Sequence, residues 1–113
     1  METRDGVSVP TLRRRLIACL RRIDRAIGDL CGIYISPSFA AEIRTQYVPA
    51  LASRPLWVAH WAVREPHVPA PWSHATIWQY TSLGRVPGIT GRVDRDRVLL
   101  PPDPLAAIRL RSR

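Results

Sequence analysis

Apolar residues recur at helical spacing from Thr11 to Leu30, at Leu12, Leu16, Leu20, Ile23 and Ile27, with Ile17 widening the stripe. This predicts a long amphipathic helix whose opposite face is largely arginine. Ser8 is a candidate N-cap, Pro10 suits a first turn where its missing N–H costs nothing, and Gly28 weakens the far end. Cys19 shares a face with Leu16 and Ile23, so its thiol is expected to be buried. The pattern then changes period. Residues 32–36 read as a short buried strand ended by Ser36-Pro37. A second helix is expected from about Ser38, with Phe39, Ile43 and Tyr47 on one side, stopping before Pro49.

Leu56 to Trp61 is apolar on both faces, as in a closed or covered sheet. Pro69 and Pro71 make residues 67–72 a loop. Ala75 to Thr81 is rich in β-branched and aromatic residues and predicts a third strand. Residues 84–91, with Pro87 and Gly88, form a turn, and Val93 to Leu100 is a last extended segment. Leu105, Ile108 and Leu110 suit a short terminal helix after Pro101. The order is helix, strand, helix, then three strands with no helix between them. An alternating α/β chain would place a strand before the first helix, and here none is seen.

The 113 residues amount to at most one domain, and 46% apolar content is enough for a folded core. No apolar run nears the roughly 20 residues that cross a bilayer, so no membrane span is expected. The N-terminus lacks a basic region followed by an apolar one, so no signal peptide is expected either.

All 17 basic residues are arginine, and the net charge is +8. Such a charge favours polyanions, among them nucleic acid, anionic lipid and acidic wall polymers. Yet the arginines form no block longer than Arg13-Arg14-Arg15 and carry no interleaved aromatics along the chain. Solvated faces are the expected place for most of them, and nucleic acid is not an expected partner.

Cys19 and Cys31 have no metal-ligand spacing and form no disulfide framework, though a bridge between them stays open. His60, His67 and His74 stand seven apart, whereas ligand pairs on one element sit three to five apart. These histidines are expected on loops or the surface. No metal and no cofactor is implied.

The block Pro55-Leu56-Trp57-Val58-Ala59-His60-Trp61, followed by Pro71-Trp72-Ser73 and Ile77-Trp78-Gln79-Tyr80-Thr81-Ser82, resembles the closing half of family 25 lysozymes. The likeness continues through Gly84-Arg85-Val86-Pro87-Gly88-Ile89 and Gly91-Arg92-Val93-Asp94. Ile33-Tyr34-Ile35-Ser36-Pro37-Ser38-Phe39 is similar to that family's fifth strand and the turn after it. The order and spacing of these pieces across residues 32–98 make the signal specific. The resemblance implies an α/β fold: a partial (β/α) barrel holding roughly the last four strands and two helices of a modified TIM-type barrel, with residues 1–113 as one catalytic-domain fragment. It also explains the helix-poor second half, because the family's last strands follow one another without helices.

The implied activity is that of a peptidoglycan hydrolase, cleaving the β-1,4 bond between N-acetylmuramic acid and N-acetylglucosamine. Glycoside hydrolysis usually needs one carboxylic acid to protonate the leaving oxygen and a second group to stabilise the cationic sugar. The family carries an Asp-x-Glu motif before its long helix. By the resemblance Glu2 takes the motif's glutamate and the acid role, with Met1 in the middle position, and Asp94 takes the last-strand role. The first-strand and motif aspartates have no counterpart in the chain, so it is expected to be truncated and inactive alone. Asp96 shares a face with Asp94, but the family has asparagine there and an aromatic at Val98, which leaves the pocket floor open.

Trp61 ends its strand and is the candidate for stacking on a sugar, and Tyr34 and Gln79 are candidate substrate-binding residues that could also point into the pocket. Trp57, Trp78 and Tyr80 are expected chiefly in the core. Peptidoglycan glycan strands are the implied partner. Half of a barrel would have two open edges, so a separately encoded N-terminal half or self-association is also expected. Two further function classes stay open: a non-catalytic glycan-binding remnant and, on charge alone, a nucleic-acid binder. Where the protein acts in or outside the cell is not legible from the chain.

Overall fold

The computed structural model describes residues 6–99. Helix α1 spans Val9–Ile27, with Pro10 in its first turn. It ends where Gly28 takes a left-handed conformation (φ 74°) and its N–H donates to the Asp24 carbonyl at 2.8 Å. Helix α2 spans Pro37–Ile43. Ser36 caps it by accepting from the Phe39 N–H, so Ser36-Pro37 both closes the preceding strand and opens the helix. Two 3-10 turns, Thr45–Tyr47 and Pro49–Ser53, carry the chain back to the sheet.

Four strands form that sheet: β1 Ile33–Ile35, β2 Leu56–Ala59, β3 Ile77–Gly84 and β4 Val93–Val98. They lie in sequence order, β1 and β2 parallel, β2 and β3 parallel, and β3 and β4 antiparallel. The architecture is mixed α/β, with two helices and one four-stranded sheet. The terminal helix expected after Pro101 lies outside the described residues. Among the described residues no helix is long and apolar enough to cross a membrane.

Strand pairing gives the two faces different fates. Register aligns Ile33 with Leu56, and Ile35 with Val58 and Trp78. These five are buried against Leu20, Phe39, Ile43 and Leu51 from the helices and turns, forming the core. The other face carries Tyr34, Trp57 and Ile77 in one row and Ala59, Gln79 and Asp96 in the next. No helix covers it among the described residues, and Trp57 is 39% exposed.

Several expectations are corrected here. Trp57, expected chiefly in the core, is exposed because its face has no covering layer. Cys19 is exposed, not buried: Leu20 is the position on α1 that turns into the core. Ile23 and Ile27 are exposed too, although they continue the apolar stripe. Neither belongs to the core cluster, which on α1 takes in Leu20 and, packed against it, Leu12, Leu16 and Ile17. Tyr47 does not extend the buried side of α2, because the helix ends at Ile43 and Arg44 turns left-handed (φ 56°).

One ion pair fastens α1 to the sheet. The Arg54 guanidinium, only 8% exposed, donates to both oxygens of Asp24 at 2.9 and 2.6 Å and to the Cys31 carbonyl. Asp24 also accepts from the Cys31 N–H, and Trp72 Nε1 donates to the Arg54 carbonyl. The hydrogen bond from Arg54 holds the Asp24 carboxyl well below the usual carboxylate range. A depressed acid stabilises the fold above its ordinary value near pH 4 and loses that contribution as pH falls towards the depressed value.

Burial pushes the Cys31 thiol up. A thiol-alkylating reagent at neutral pH should therefore modify exposed Cys19 well before Cys31, as mass mapping of a time course would show. Equal rates at the two thiols would mean that the clamp around Cys31 opens readily.

Candidate substrate cleft

Three of the candidate residues meet at one atom. Gln79, at 4% exposure, sits on β3 with its Oε1 accepting from the Tyr34 hydroxyl at 2.9 Å and from Trp61 Nε1 at 3.0 Å. Tyr34 comes from β1, and Trp61 from just past the end of β2, so the three parallel strands each contribute one group. Parallel pairing places Ala59 beside Gln79, and that brings the chain after β2 over the Gln79 amide. The result is a rigid polar node under an exposed ring: Trp61 is 48% exposed. Beside it, at the C-terminal ends of β1 and β2, lies a hollow of about 340 Å³ lined by Tyr34, Ser36, Ser38, Ala59, His60 and Trp61.

Asp94 approaches from the antiparallel strand. Because β4 runs back along β3, its N-terminal end returns to the sheet end where the parallel strands finish. Asp94 is exposed, and its carboxylate makes no hydrogen bond or ion pair with a described residue. Asp96 has a different task. It pairs with Gln79 in register and accepts from Trp57 Nε1 at 2.8 Å, while Trp57 meets Tyr34 edge-on with ring centroids 5.1 Å apart. Asp94 and Asp96 are therefore not an equivalent pair: one bonds to no described residue, and the other orients an indole. Glu2 lies outside the described residues.

The remaining candidates are placed elsewhere. Trp78 is buried and donates from Nε1 to the His60 carbonyl at 2.8 Å. His60 Nδ1 accepts from the His67 N–H, and His67 and His74 are exposed. Among the described residues no three His, Cys, Asp or Glu side chains converge as metal ligands.

Sequence inspection missed two features. The Trp57–Asp96 bond and the Asp24–Arg54 clamp join residues 39 and 30 positions apart. Nothing in their local sequence marks them, since the chain has 17 arginines and nine acids to choose among.

Chemically, the open face offers what a saccharide needs: the exposed rings of Trp57 and Trp61, fixed hydrogen-bonding groups, and one unengaged carboxylate.

Comparison with known proteins identifies the family. The family profile of glycosyl hydrolases family 25 matches residues 1–89. Lysozyme M1 of Streptomyces globisporus is 50% identical over 65 residues, covering 58% of this chain and 22% of the relative. The uncharacterized protein YegX of Escherichia coli is 32% identical over 95 residues, or 83% of this chain and 33% of that one. The chain thus spans a third or less of these curated relatives.

Among solved structures, the bacterial lysozyme of Streptomyces coelicolor superposes with a TM-score of 0.74 at 33% identity, covering 82% of this chain and 43% of that one. The spore cortex lytic enzyme SleM of Clostridium perfringens shares the fold, with a TM-score of 0.73 at 23% identity over 84% of this chain and 34% of that one. A profile match over most of its length, a half-identical lysozyme segment and a shared fold make this chain a member of glycosyl hydrolases family 25.

Proposed function

We propose that residues 1–113 are one fragment of a muramidase domain and form part of its substrate cleft, with peptidoglycan glycan strands as the ligand. In this view the sheet corresponds to the last four strands of a modified (β/α) barrel, and its uncovered face is the barrel's interior. The observation that carries the proposal is the convergence of Tyr34 and Trp61 on Gln79, with Asp94, exposed and unbonded to any described residue, on the strand paired to β3. A pyranose ring stacks on Trp61, the groups around the hollow hold its hydroxyls, and Asp94 faces the positive charge that develops at the anomeric carbon. Glu2 is the proposed proton donor. The bond attacked is the β-1,4 link between N-acetylmuramic acid and N-acetylglucosamine, and no cofactor takes part.

A second reading, glycan binding without cleavage, is favoured for the chain on its own. Only two carboxylates, Glu2 and Asp94, are proposed for the chemistry, and positioning of several groups supplies much of the rate in such enzymes. The open face, with Trp57 and Val98 exposed, is where complementary strands or a second copy would pack.

The chain should be retained on purified peptidoglycan yet fail to clear a wall suspension. Retention no greater than on cellulose would refute the glycan reading. In a chimera joining residues 32–98 to the N-terminal half of a full-length family lysozyme, Asp94→Asn should lower turnover at least about a hundredfold, the scale of a general acid–base group. Asp96→Asn, which keeps an acceptor for Trp57, should cost far less. Equal losses at the two positions would overturn the role given to Asp94.

A further inference from the structure

On the helix side of the sheet, past the end of the helical layer, lies a second and larger groove of about 750 Å³. Its lining includes Trp61, Val63, Arg64, Tyr80, Leu83 and Arg97. The chain turns at Ala62 (φ 58°) after β2, and Val63 and Arg64 form one bank. The β3–β4 pair forms the other. Arg97 lies over the Trp78 and Tyr80 rings at 5.6 and 5.1 Å, and Arg95 lies over Tyr80 at 5.7 Å. The arginines that seemed to lack aromatic neighbours in sequence are interleaved with them in space, across the strand register.

We propose that this groove is a subsite for a short acidic peptide carried as a branch by the glycan in the cleft. This rests on the glycan reading above, whose ligand it specifies further. Three observations support it.

Charge is the first. Arg64 and Arg97 line the groove, and Arg95 stands next to it over Tyr80; none of the three forms an ion pair with a described carboxylate, and neither Asp94, Asp96 nor Glu65 is part of the lining. Two guanidinium forks in the lining and a third next to it, none paired with a described acid, suit carboxylates, which they bind two-pronged.

The second is the floor. Val63 and Leu83 are 37% and 62% exposed in the groove, offering apolar contact to methyl and methylene groups of a peptide. A polyol phosphate offers only oxygen-bearing carbons and no aliphatic side chain to bury. A single-stranded nucleic acid stacks successive bases on successive open aromatic faces, and with guanidinium groups over the Trp78 and Tyr80 rings the lining leaves Trp61 alone for that.

Continuity is the third. Trp61 lines this groove and the smaller hollow beside Gln79 alike, so a ligand in one meets the other across a single side chain. Gly84 keeps the arrangement open, because a Cβ there would run into Arg95 Cγ and Cδ.

The test uses the 113-residue chain and four probes in calorimetric titration: an N-acetylglucosamine–N-acetylmuramic acid oligosaccharide with its acidic peptide, the same oligosaccharide without it, the free peptide, and a competitor pair of polyol phosphate and single-stranded oligonucleotide. The peptide-bearing oligosaccharide should bind about tenfold more tightly than the bare one, the scale of one or two charge-assisted contacts. That preference should vanish in Arg95→Gln/Arg97→Gln and shrink in Arg64→Gln, with affinity for the bare oligosaccharide unchanged.

Should the double variant melt early, Arg64→Gln and Gly84→Ala, which displaces Arg95, provide the same reading. Equal affinity for the two oligosaccharides, or a preference that survives these variants, overturns the subsite. So does tighter arginine-dependent binding of either competitor. If neither oligosaccharide binds but the free peptide does so through these arginines, the groove stands and the glycan reading falls.

Discussion

Alanine at Phe39 is expected to remove about 3–5 kcal/mol of folding stability, the usual cost of emptying an aromatic-sized space in a packed core. Phe39 is 2% exposed and belongs to the one buried cluster shared by α1, α2 and the sheet. Total stability for a domain of this size is only about 5–15 kcal/mol, so the variant should unfold at much lower denaturant and in part at room temperature. Trp57→Ala deletes a larger side chain yet should cost about 1 kcal/mol, through one indole hydrogen bond and one edge-on ring contact.

The contrast comes from the two faces of one sheet. Urea melts of the two variants measure it directly. If Trp57→Ala proves as costly as Phe39→Ala, the Trp57 face is covered in solution, by a second copy or by another segment, and the melt should then depend on protein concentration.

The second large effect belongs to Gln79. Gln79→Leu keeps the side-chain volume but removes the acceptor shared by Tyr34 and Trp61. Both donors can turn to water, since Tyr34 is half-buried and Trp61 exposed, so stability should fall by only about 1–2 kcal/mol. Binding should suffer more. The Trp61 ring loses the bond that fixes its plane, and affinity for wall glycan should drop at least about tenfold, because a binding site depends on preorganised groups. Gln79→Glu keeps an acceptor for both donors and should retain more affinity than Gln79→Leu. Unchanged retention of Gln79→Leu on peptidoglycan would show that the Tyr34–Gln79–Trp61 node does not serve the ligand.

Much of the local structure was written in the chain. The 3.6-residue spacing from Leu12 to Leu20, the stop at Gly28, and the Ser36-Pro37 boundary each depend on neighbours within a turn or two, and all three appear at the expected places. The four strands could be located by composition for the same reason. Their ends could not: β2 stops at Ala59, releasing Trp61, while β3 runs on to Gly84. Strand ends are set by the partner available to hydrogen-bond, and the partner is distant in sequence.

The candidate site divides along the same line. Trp61 is a candidate because it ends its strand and could stack on a sugar, and Tyr34 and Gln79 because they could point into the same pocket. That they share one oxygen follows only from parallel register, which places Ala59 beside Gln79. Asp94 and Asp96 looked alike by alternation and differ because a single indole reaches one of them. Cys19, Ile23 and Ile27 continue a stripe that the helix does possess, but burial needs a second surface, and the core meets α1 at Leu12, Leu16, Ile17 and Leu20 instead.

Periodicity and breaker residues thus determined which segments become helix or strand, since those preferences are local steric and solvation effects. Which face of each segment is covered, which arginine meets a carboxylate and which meets a ring, and where three strands gather their polar groups were decided only by tertiary pairing. Such contacts depend on how distant surfaces fit together.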